Sequence, residues 1–295
     1  MKKIEFVMPI VKWAGGKRQL LDVLIPLFPE HFTTYCEPFL GGGAVLFQYQ
    51  PQTAIVNDIN NDLIQMYEVI RDDVESLILE LKQHENTSEH FYKVRAWDRD
   101  KEKYNSLSKT KKAARIIYLN RTCYNGLYRV NSSGEFNTPF GKYKNPAIVN
   151  EPVLRAMSQY FQEADITLSC RDYADVLADV PEGTFVYLDP PYDPVSDTAH
   201  FTGYARGGFC REEQIRLREC CDDLHRRGIK FMLSNSSTDF IREQYTAYNI
   251  TIVQANRVVN SDATRRGQVD EVVVRNYGET ANHSMQQTLP VKITN

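Results

Sequence analysis

Apolar and polar positions along the chain follow two different periods. Short apolar runs of strand length occur at residues 35–39, 54–58, 166–168, 184–188, 229–233 and 269–274. Between the later runs lie segments of helical spacing, clearest from Arg211 to Arg227. Strands alternating with helices predict βαβ units and a mostly parallel sheet. From about Leu63 to Lys144 the spacing is helical with no matching strands. A stretch rich in Gly, Asn and Pro, Tyr124 to Pro146, closes that region, and Asn131–Ser132–Ser133–Gly134 within it is a good turn sequence for a hairpin. The predicted organisation is an α/β domain formed by residues 1–62 and 150–278, an insert at 63–149, and a polar, loose tail at 279–295.

Composition narrows the class. Of 295 residues, 42% are hydrophobic and 25% charged, the balance of a folded soluble chain. No apolar stretch approaches the roughly 20 residues that span a bilayer. Met1–Lys2–Lys3–Ile4 leads into no apolar region of the kind a secretory signal needs, so a cytoplasmic protein is expected. Six cysteines, at 36, 123, 170, 210, 220 and 221, show no CxxC spacing. They read as reduced thiols, and no metal site is expected. The net charge of −3, from 35 basic and 38 acidic residues, argues mildly against a nucleic-acid partner when taken as an average.

Three segments carry candidate chemistry. Asp189–Pro190–Pro191–Tyr192 follows the apolar run Phe185–Leu188, and residues just past a parallel strand face the ligand crevice. Two prolines fix the backbone and remove two amide donors, which leaves carbonyls free to accept. A carboxylate beside a rigid carbonyl suits an amino group, and Tyr192 offers a stacking face. An isolated Asp–Pro would be an ordinary turn; all four residues in this place point to a site. Glu37–Pro38–Phe39–Leu40–Gly41–Gly42–Gly43–Ala44 is a strand entering a glycine turn and a helix, where backbone can approach a nucleotide-like ligand. A dinucleotide or S-adenosylmethionine fits that description, although Leu46 breaks the dinucleotide pattern G-x-G-x-x-G. Asp58, ending the next run, is placed to accept from ribose hydroxyls, while the Asp58–Asn60–Asp62 series lacks the glycine of a calcium loop. Lys12–Trp13–Ala14–Gly15–Gly16–Lys17 fails as a P-loop, with Val11 and Arg18 at two required positions, but suits a loop folding over a ligand.

Together with Tyr124–Asn125–Gly126–Leu127–Tyr128–Arg129–Val130–Asn131 and the run Glu135 to Tyr143, these segments in this order resemble the Dam-type DNA adenine-N6 methyltransferases over roughly residues 8–277. The resemblance implies a Rossmann-like class I methyltransferase sheet with an inserted, mostly helical target-recognition domain containing a β-hairpin. It implies S-adenosyl-L-methionine as cofactor, held by Trp13, Ala14, Gly15 and Lys17, by Glu37, Pro38, Phe39, Gly41 and Gly43 of the glycine turn, and by Asp58, Asp172, Tyr173 and Asp189. Asp172 would reach the cofactor's adenine. The target adenine would be flipped out of the duplex, because its N6 is unreachable in the stack. Asp189 and the Pro190 carbonyl would then accept from the N6 amino group, favouring its pyramidal, nucleophilic form. Tyr192 would stack on the base beside Pro191, with no covalent enzyme intermediate.

Dividing the chain changes the charge argument. Residues 91–144 hold 13 Lys/Arg against 4 acids, a net +9, so the remainder carries −12. A solvated helix face explains Lys109, Lys111 and Lys112, but not Tyr124, Asn125 and Tyr128 interleaved with Arg121 and Arg129. Arg reads guanine edges and Lys holds phosphates. The resemblance implies double-stranded DNA as partner and GATC as the site, in a bacterial or phage-infected cell, with the chain acting as a monomer without an obligate protein partner. Arg129 would contact guanine, Tyr124 and Asn125 the disrupted base step, Leu127 and Pro139 the thymine methyls, and Lys12 an outer guanine. Arg121, Asn131, Lys142 and Tyr143 complete that surface, with Lys142 standing where many relatives carry Arg. Asn260, Ser261, Arg265 and Arg266 form a second candidate surface, for phosphates. Competing readings are an RNA or protein amide methyltransferase, a nicotinamide-dependent oxidoreductase, and a catalytically silent DNA-binding module. The basic insert disfavours the first, the incomplete glycine pattern the second, and the intact amino clamp the third.

Overall fold

The computed structural model describes residues 3–194, 209–256, 268–278 and 288–289. Strands in chain order are β1 (Thr34–Glu37), β2 (Thr53–Asn57), β3 (Asp165–Ser169), β4 (Thr184–Leu188), β5 (Lys230–Ser236), β6 (Asn249–Asn256), β7 (Gln268–Arg275) and β8 (Thr288–Leu289). The chain divides into two compact units. One holds the described residues through Gly16 and Leu40–Arg171; the other holds Lys17–Phe39 and the described residues from Asp172 onward.

In the second unit, β1 runs parallel to β4 and β4 parallel to β5. All five residues of β4 are buried, and a strand covered on both faces reads as a continuous apolar run rather than an alternating one. Phe28 packs on Phe185 at 4.6 Å between ring centroids, closing the core over β4. The direction then reverses: β7 is antiparallel to both β5 and β6, with Ser236 opposite Glu271. The start of β7 therefore lies beside the C-terminal end of β5. Strand β6 escaped the sequence reading, although Ile250, Ile252 and Val253 lie among Asn249, Thr251 and Gln254. The helix Arg211–Arg226 starts with Glu212 and Glu213 and ends with His225 and Arg226, each complementing its end of the helix dipole.

The first unit pairs β2 with β3 in parallel, Thr53 opposite Asp165 through Asn57 opposite Ser169. Its α-helices among the described residues are Ala44–Tyr49, Asn61–Asp72, Val74–Leu81, Ser88–Arg95, Lys101–Ser106, Lys109–Thr122 and Glu151–Glu163. Asn60, Thr87, Asp100, Ser108 and Asn150 each cap a helix by accepting a backbone amide. Helix Lys109–Thr122 is buried from Ala113 to Asn120, Arg115 included. The expected hairpin is irregular: Cys123 bridges Phe140 and Val130 bridges Phe136, both antiparallel and isolated. Asn131 closes its tip, its side-chain oxygen accepting from the amides of Ser133 and Glu135 at 3.0 and 2.9 Å. That use of Asn131 favours a local turn over a continued ladder. Most of residues 279–295 lies outside the described residues. No helix among the described residues is long and apolar enough to cross a membrane.

A buried polar knot holds the hairpin to the helices. Asp98 pairs with Arg115 at 2.7 Å and with Arg99, and accepts the Phe136 amide at 2.8 Å. Arg99 also donates to the Phe136 carbonyl at 2.6 Å, and Arg115 to the carbonyls of Val94 and Arg95. With the Arg115 and Asp98 side chains only 5% and 7% exposed, losing either strands a buried charge. Asp98→Ala is expected to cost about 3–5 kcal/mol of unfolding free energy by urea denaturation.

Candidate active site

In the second unit, β4 ends at Leu188 and delivers Asp189 to the rim of the parallel strands. Lys17, in a 3-10 turn and buried to 4%, places its Nζ 2.8 Å from Asp189 Oδ1 and 4.6 Å from the centre of the Tyr192 ring. Burial pushes the Asp189 carboxyl up to about 6; Lys17 pulls it back and Glu271 pushes it further. Among the described residues, no donor is bonded to Asp189 Oδ2 or to the Pro190 carbonyl. The Pro191 carbonyl differs, since Gln214 Nε2 donates to it at 2.8 Å.

The segment after the prolines is held by buried polar side chains. Asn235 Nδ2 donates to Gln214 Oε1 at 3.0 Å, and the Asp193 amide donates to Asn235 Oδ1 at 3.2 Å. The Asp193 carboxylate accepts from Arg211 and Thr238, and its carbonyl from Ser236. Tyr192 donates its hydroxyl to Glu271 Oε2 at 2.7 Å. Gln214, Asn235, Asp193 and Glu271 escaped the sequence reading, and only Asp193, next to the proline motif, lay where a motif scan would find it.

Other predicted residues of this unit are engaged internally. Glu37, 2% exposed at the end of β1, accepts the Tyr35 hydroxyl at 2.8 Å. Phe39, Tyr173 and Phe209 form an aromatic trio with ring centroids 5.1 to 5.9 Å apart. Asp172 caps helix Tyr173–Asp179 and meets Arg216 through both oxygens, at 2.7 and 3.1 Å. Partial burial works against ionisation there, yet Arg216 and the Ala174 amide hold the Asp172 carboxyl below its ordinary range. Pro38 is buried between Glu37 and Phe39.

The first unit carries the rest of the glycine turn. Gly41 and Gly43 adopt φ of +51° and +69°, values that favour glycine. A Cβ on Gly41 would lie 2.8 Å from Trp13 Cδ1, and one on Gly43 would lie 2.6 Å from the Phe47 ring. Asp58 accepts the Gly41 amide at 2.8 Å and the Asn60 amide at 2.9 Å, one on each oxygen. Burial raises the Asp58 carboxyl, and those two amides oppose the shift. Trp13 stacks on Tyr128 at 4.9 Å, so the predicted ligand loop touches the hairpin. Ala14 and Gly15 are exposed beside it.

The predicted DNA residues of this unit divide into exposed tips and buried supports. Tyr124 is 57% exposed, and Asn125, Pro139 and Lys142 are exposed as well. Arg129 donates through Nε to Asn137 at 2.7 Å, and no acceptor among the described residues is bonded to its two terminal nitrogens. Asn120, which the sequence reading did not single out, bonds both backbone groups of Lys12, at 2.7 and 2.8 Å, and the Gly126 carbonyl at 3.0 Å. Leu127 is half-buried, and its carbonyl accepts from Thr138 at 2.7 Å. Asn86 donates to the Tyr143 carbonyl at 2.7 Å, and Lys12 Nζ lies 5.7 Å from the Tyr143 ring. Arg121 is half-buried in the last turn of helix Lys109–Thr122. Asn260, Ser261, Arg265 and Arg266 lie outside the described residues.

A family model described as D12 class N6 adenine-specific DNA methyltransferase matches residues 13–259. The chain is similar to the type II methyltransferase M1.LlaDCHI of Lactococcus lactis subsp. cremoris, 42% identical over 272 residues, covering 92% of this chain and 95% of the other. Similarity to the type II methyltransferase M.MjaIII of Methanocaldococcus jannaschii is 41% over 291 residues, covering 92% and 99%. A DNA adenine methylase of Escherichia coli K12 is 35% identical over 268 residues, covering 89% and 93%.

The close approach of Trp13 to the turn gives a direct test. Gly41→Ala is expected to lose about 1–2 kcal/mol from the left-handed conformation alone. Thermal unfolding measures that loss, and displacement of Trp13 is read as a change in its emission in a Trp97→Phe background.

Proposed function

This chain belongs to the D12 class of N6 adenine-specific DNA methyltransferases, and from that premise we propose that it transfers the methyl group of S-adenosyl-L-methionine to N6 of a flipped adenine within GATC in duplex DNA. The observation that carries this reading is the pair of open acceptors at the end of β4, Asp189 Oδ2 and the Pro190 carbonyl. Two acceptors beside each other match the two hydrogens of an amino group.

The cofactor supplies an electrophilic methyl on a sulfonium cation. The residues assigned to it suit that charge: Asp58 is a carboxylate, and the glycine turn presents backbone where a Cβ at Gly41 would crowd Trp13. Asp58 keeps lone pairs beyond its two amide bonds for ribose hydroxyls. Ionised Asp189 and the Pro190 carbonyl draw on the amino hydrogens, localise the nitrogen lone pair and stabilise the positive charge that grows on N6. Lys17 keeps Asp189 ionised and fixes its orientation through Oδ1. Tyr192 supplies the face against which the extruded base stacks.

The hairpin supports the site reading. Both terminal nitrogens of Arg129 are open for guanine O6 and N7. Tyr124 and Asn125 stand exposed where a base step would be opened. Asn260, Ser261, Arg265 and Arg266 add phosphate contacts in this reading.

Radiolabelled methyl transfer onto duplexes with and without GATC tests the proposal. The expected result is incorporation at adenine N6 in the GATC duplex alone; equal incorporation overturns the site preference, and none overturns the reaction. Asp189→Ala should abolish transfer, and retained turnover would refute the clamp. Arg129→Ala should cost about 1–3 kcal/mol of discrimination against near-cognate sites while cofactor binding persists. Calorimetry and competition among duplexes measure the two effects separately.

A further inference from the structure

Glu271 belongs to none of the motifs that mark the site. It lies 79 residues beyond Tyr192, yet its Oε2 accepts the Tyr192 hydroxyl at 2.7 Å. Topology explains the meeting. Parallel strands bring their C-terminal ends to the ligand crevice, but β7 is antiparallel to β5, so it brings its beginning there. Glu271, opposite Ser236 at the end of β5, is delivered to the rim by a strand that runs the other way.

Three charged groups act on the ring this carboxylate meets: Asp189, Lys17 and Glu271 itself. Tyr192 has the Lys17 ammonium 4.6 Å from its ring centre and Glu271 on its hydroxyl. Asp189 faces Lys17 through Oδ1, and Glu271 is the second charge acting on it. The neighbouring Tyr187 hydroxyl is within hydrogen-bond distance of Ser234 Oγ, at 3.1 Å. Tyr192 has one hydroxyl on a ring with two torsions, so a charged acceptor at the far end fixes the ring plane. Hydrogen bonds to charged groups are stronger than neutral ones.

We propose that Glu271 is a positioning residue for methyl transfer, holding the Tyr192 ring through its hydroxyl. The proposal rests on the N6 methyl-transfer reading above. Glu271 fixes the aromatic face before the base arrives, so ring ordering is not left to the transition state. Its negative charge disfavours ionised Asp189, and Lys17 compensates. Glu271 thus contributes in two separable ways, through an acceptor atom and through a charge.

Two substitutions separate them. Glu271→Gln keeps an acceptor oxygen and removes the charge; Glu271→Ala removes both. Single-turnover methyl transfer is measured from pH 5 to 9, alongside cofactor binding and thermal unfolding. Wild type is expected to lose rate as the pH falls through about 6, when Asp189 takes up its proton. Glu271→Gln should retain most of the rate at pH 8 and move that acid limb to lower pH. Glu271→Ala should lose about tenfold or more in rate at pH 8 with cofactor affinity kept, by the usual cost of a lost charged hydrogen bond. Tyr192→Phe should match that loss, and the double variant should be no slower than either alone. Wild-type rates and acid limb in both Glu271 variants, or a loss fully additive with Tyr192→Phe, overturns the proposal. A wild-type protein that transfers no methyl fails the parent reading instead, and the same assay shows which has failed.

Discussion

The second unit is organised around one ion pair, Lys17 with Asp189. Burying a carboxylate at the end of a fully covered strand is costly, and a nearby cation is what makes the ionised form tenable. Lys17 meets Oδ1 at 2.8 Å and its side chain is only 3% exposed, so the cation itself tolerates burial through its partner and the Tyr192 ring. A monodentate pair has a further consequence. Arginine would tend to take both oxygens of the carboxylate, whereas the single ammonium of Lys17 leaves Oδ2 open. In the proposed clamp, the choice of lysine is therefore a matter of geometry as well as charge.

Carboxylates serve a related purpose in the first unit. Asp58 takes the Gly41 and Asn60 amides, one on each oxygen, and ties the glycine turn to the end of β2. Asp98 takes the Phe136 amide while paired to Arg115 and Arg99. Each of these acids staples a loop that regular secondary structure cannot reach. Asp193 does the same behind the prolines through Arg211, Thr238 and its own backbone. These loops are thus fixed by few, strong, buried acceptors.

This pattern explains what was legible in the sequence. The parallel strands were readable because their apolar runs are continuous, and the proline motif because it ends one of them. The helices between Asn61 and Thr122 were readable from their period; their caps, such as Asn60 and Ser108, show only in the structure. Glu271 was not, because a scan for residues past strand ends looks in the wrong direction along an antiparallel strand. Gln214 and Asn235 were hidden differently. One lies in a helix whose other fully buried residues are Leu217, Cys221 and Leu224, the other inside β5, and only packing shows that the two meet. Asn131 carried a signal with two readings, and the structure uses its side chain to close the turn.

Charge shows most clearly why spacing alone overstates function. The net +9 of residues 91–144 suggests a broad cationic field, but several of those cations are already spent on the fold. Arg115 and Arg99 are bound to Asp98, Arg95 donates to the Thr138 carbonyl, and Lys109 pairs with Glu68. Arg115, only 5% exposed, is out of reach of a phosphate, and salt dependence scales with the phosphates that are neutralised. The buried arginines instead give the hairpin a defined shape, from which Arg129 presents its free guanidinium nitrogens and Tyr124 its exposed ring. In this segment positive charge is converted from long-range attraction into loop geometry. In the proposed reading, base discrimination would depend on that geometry more than on the field, because a bidentate contact is sensitive to placement and a phosphate contact is less so.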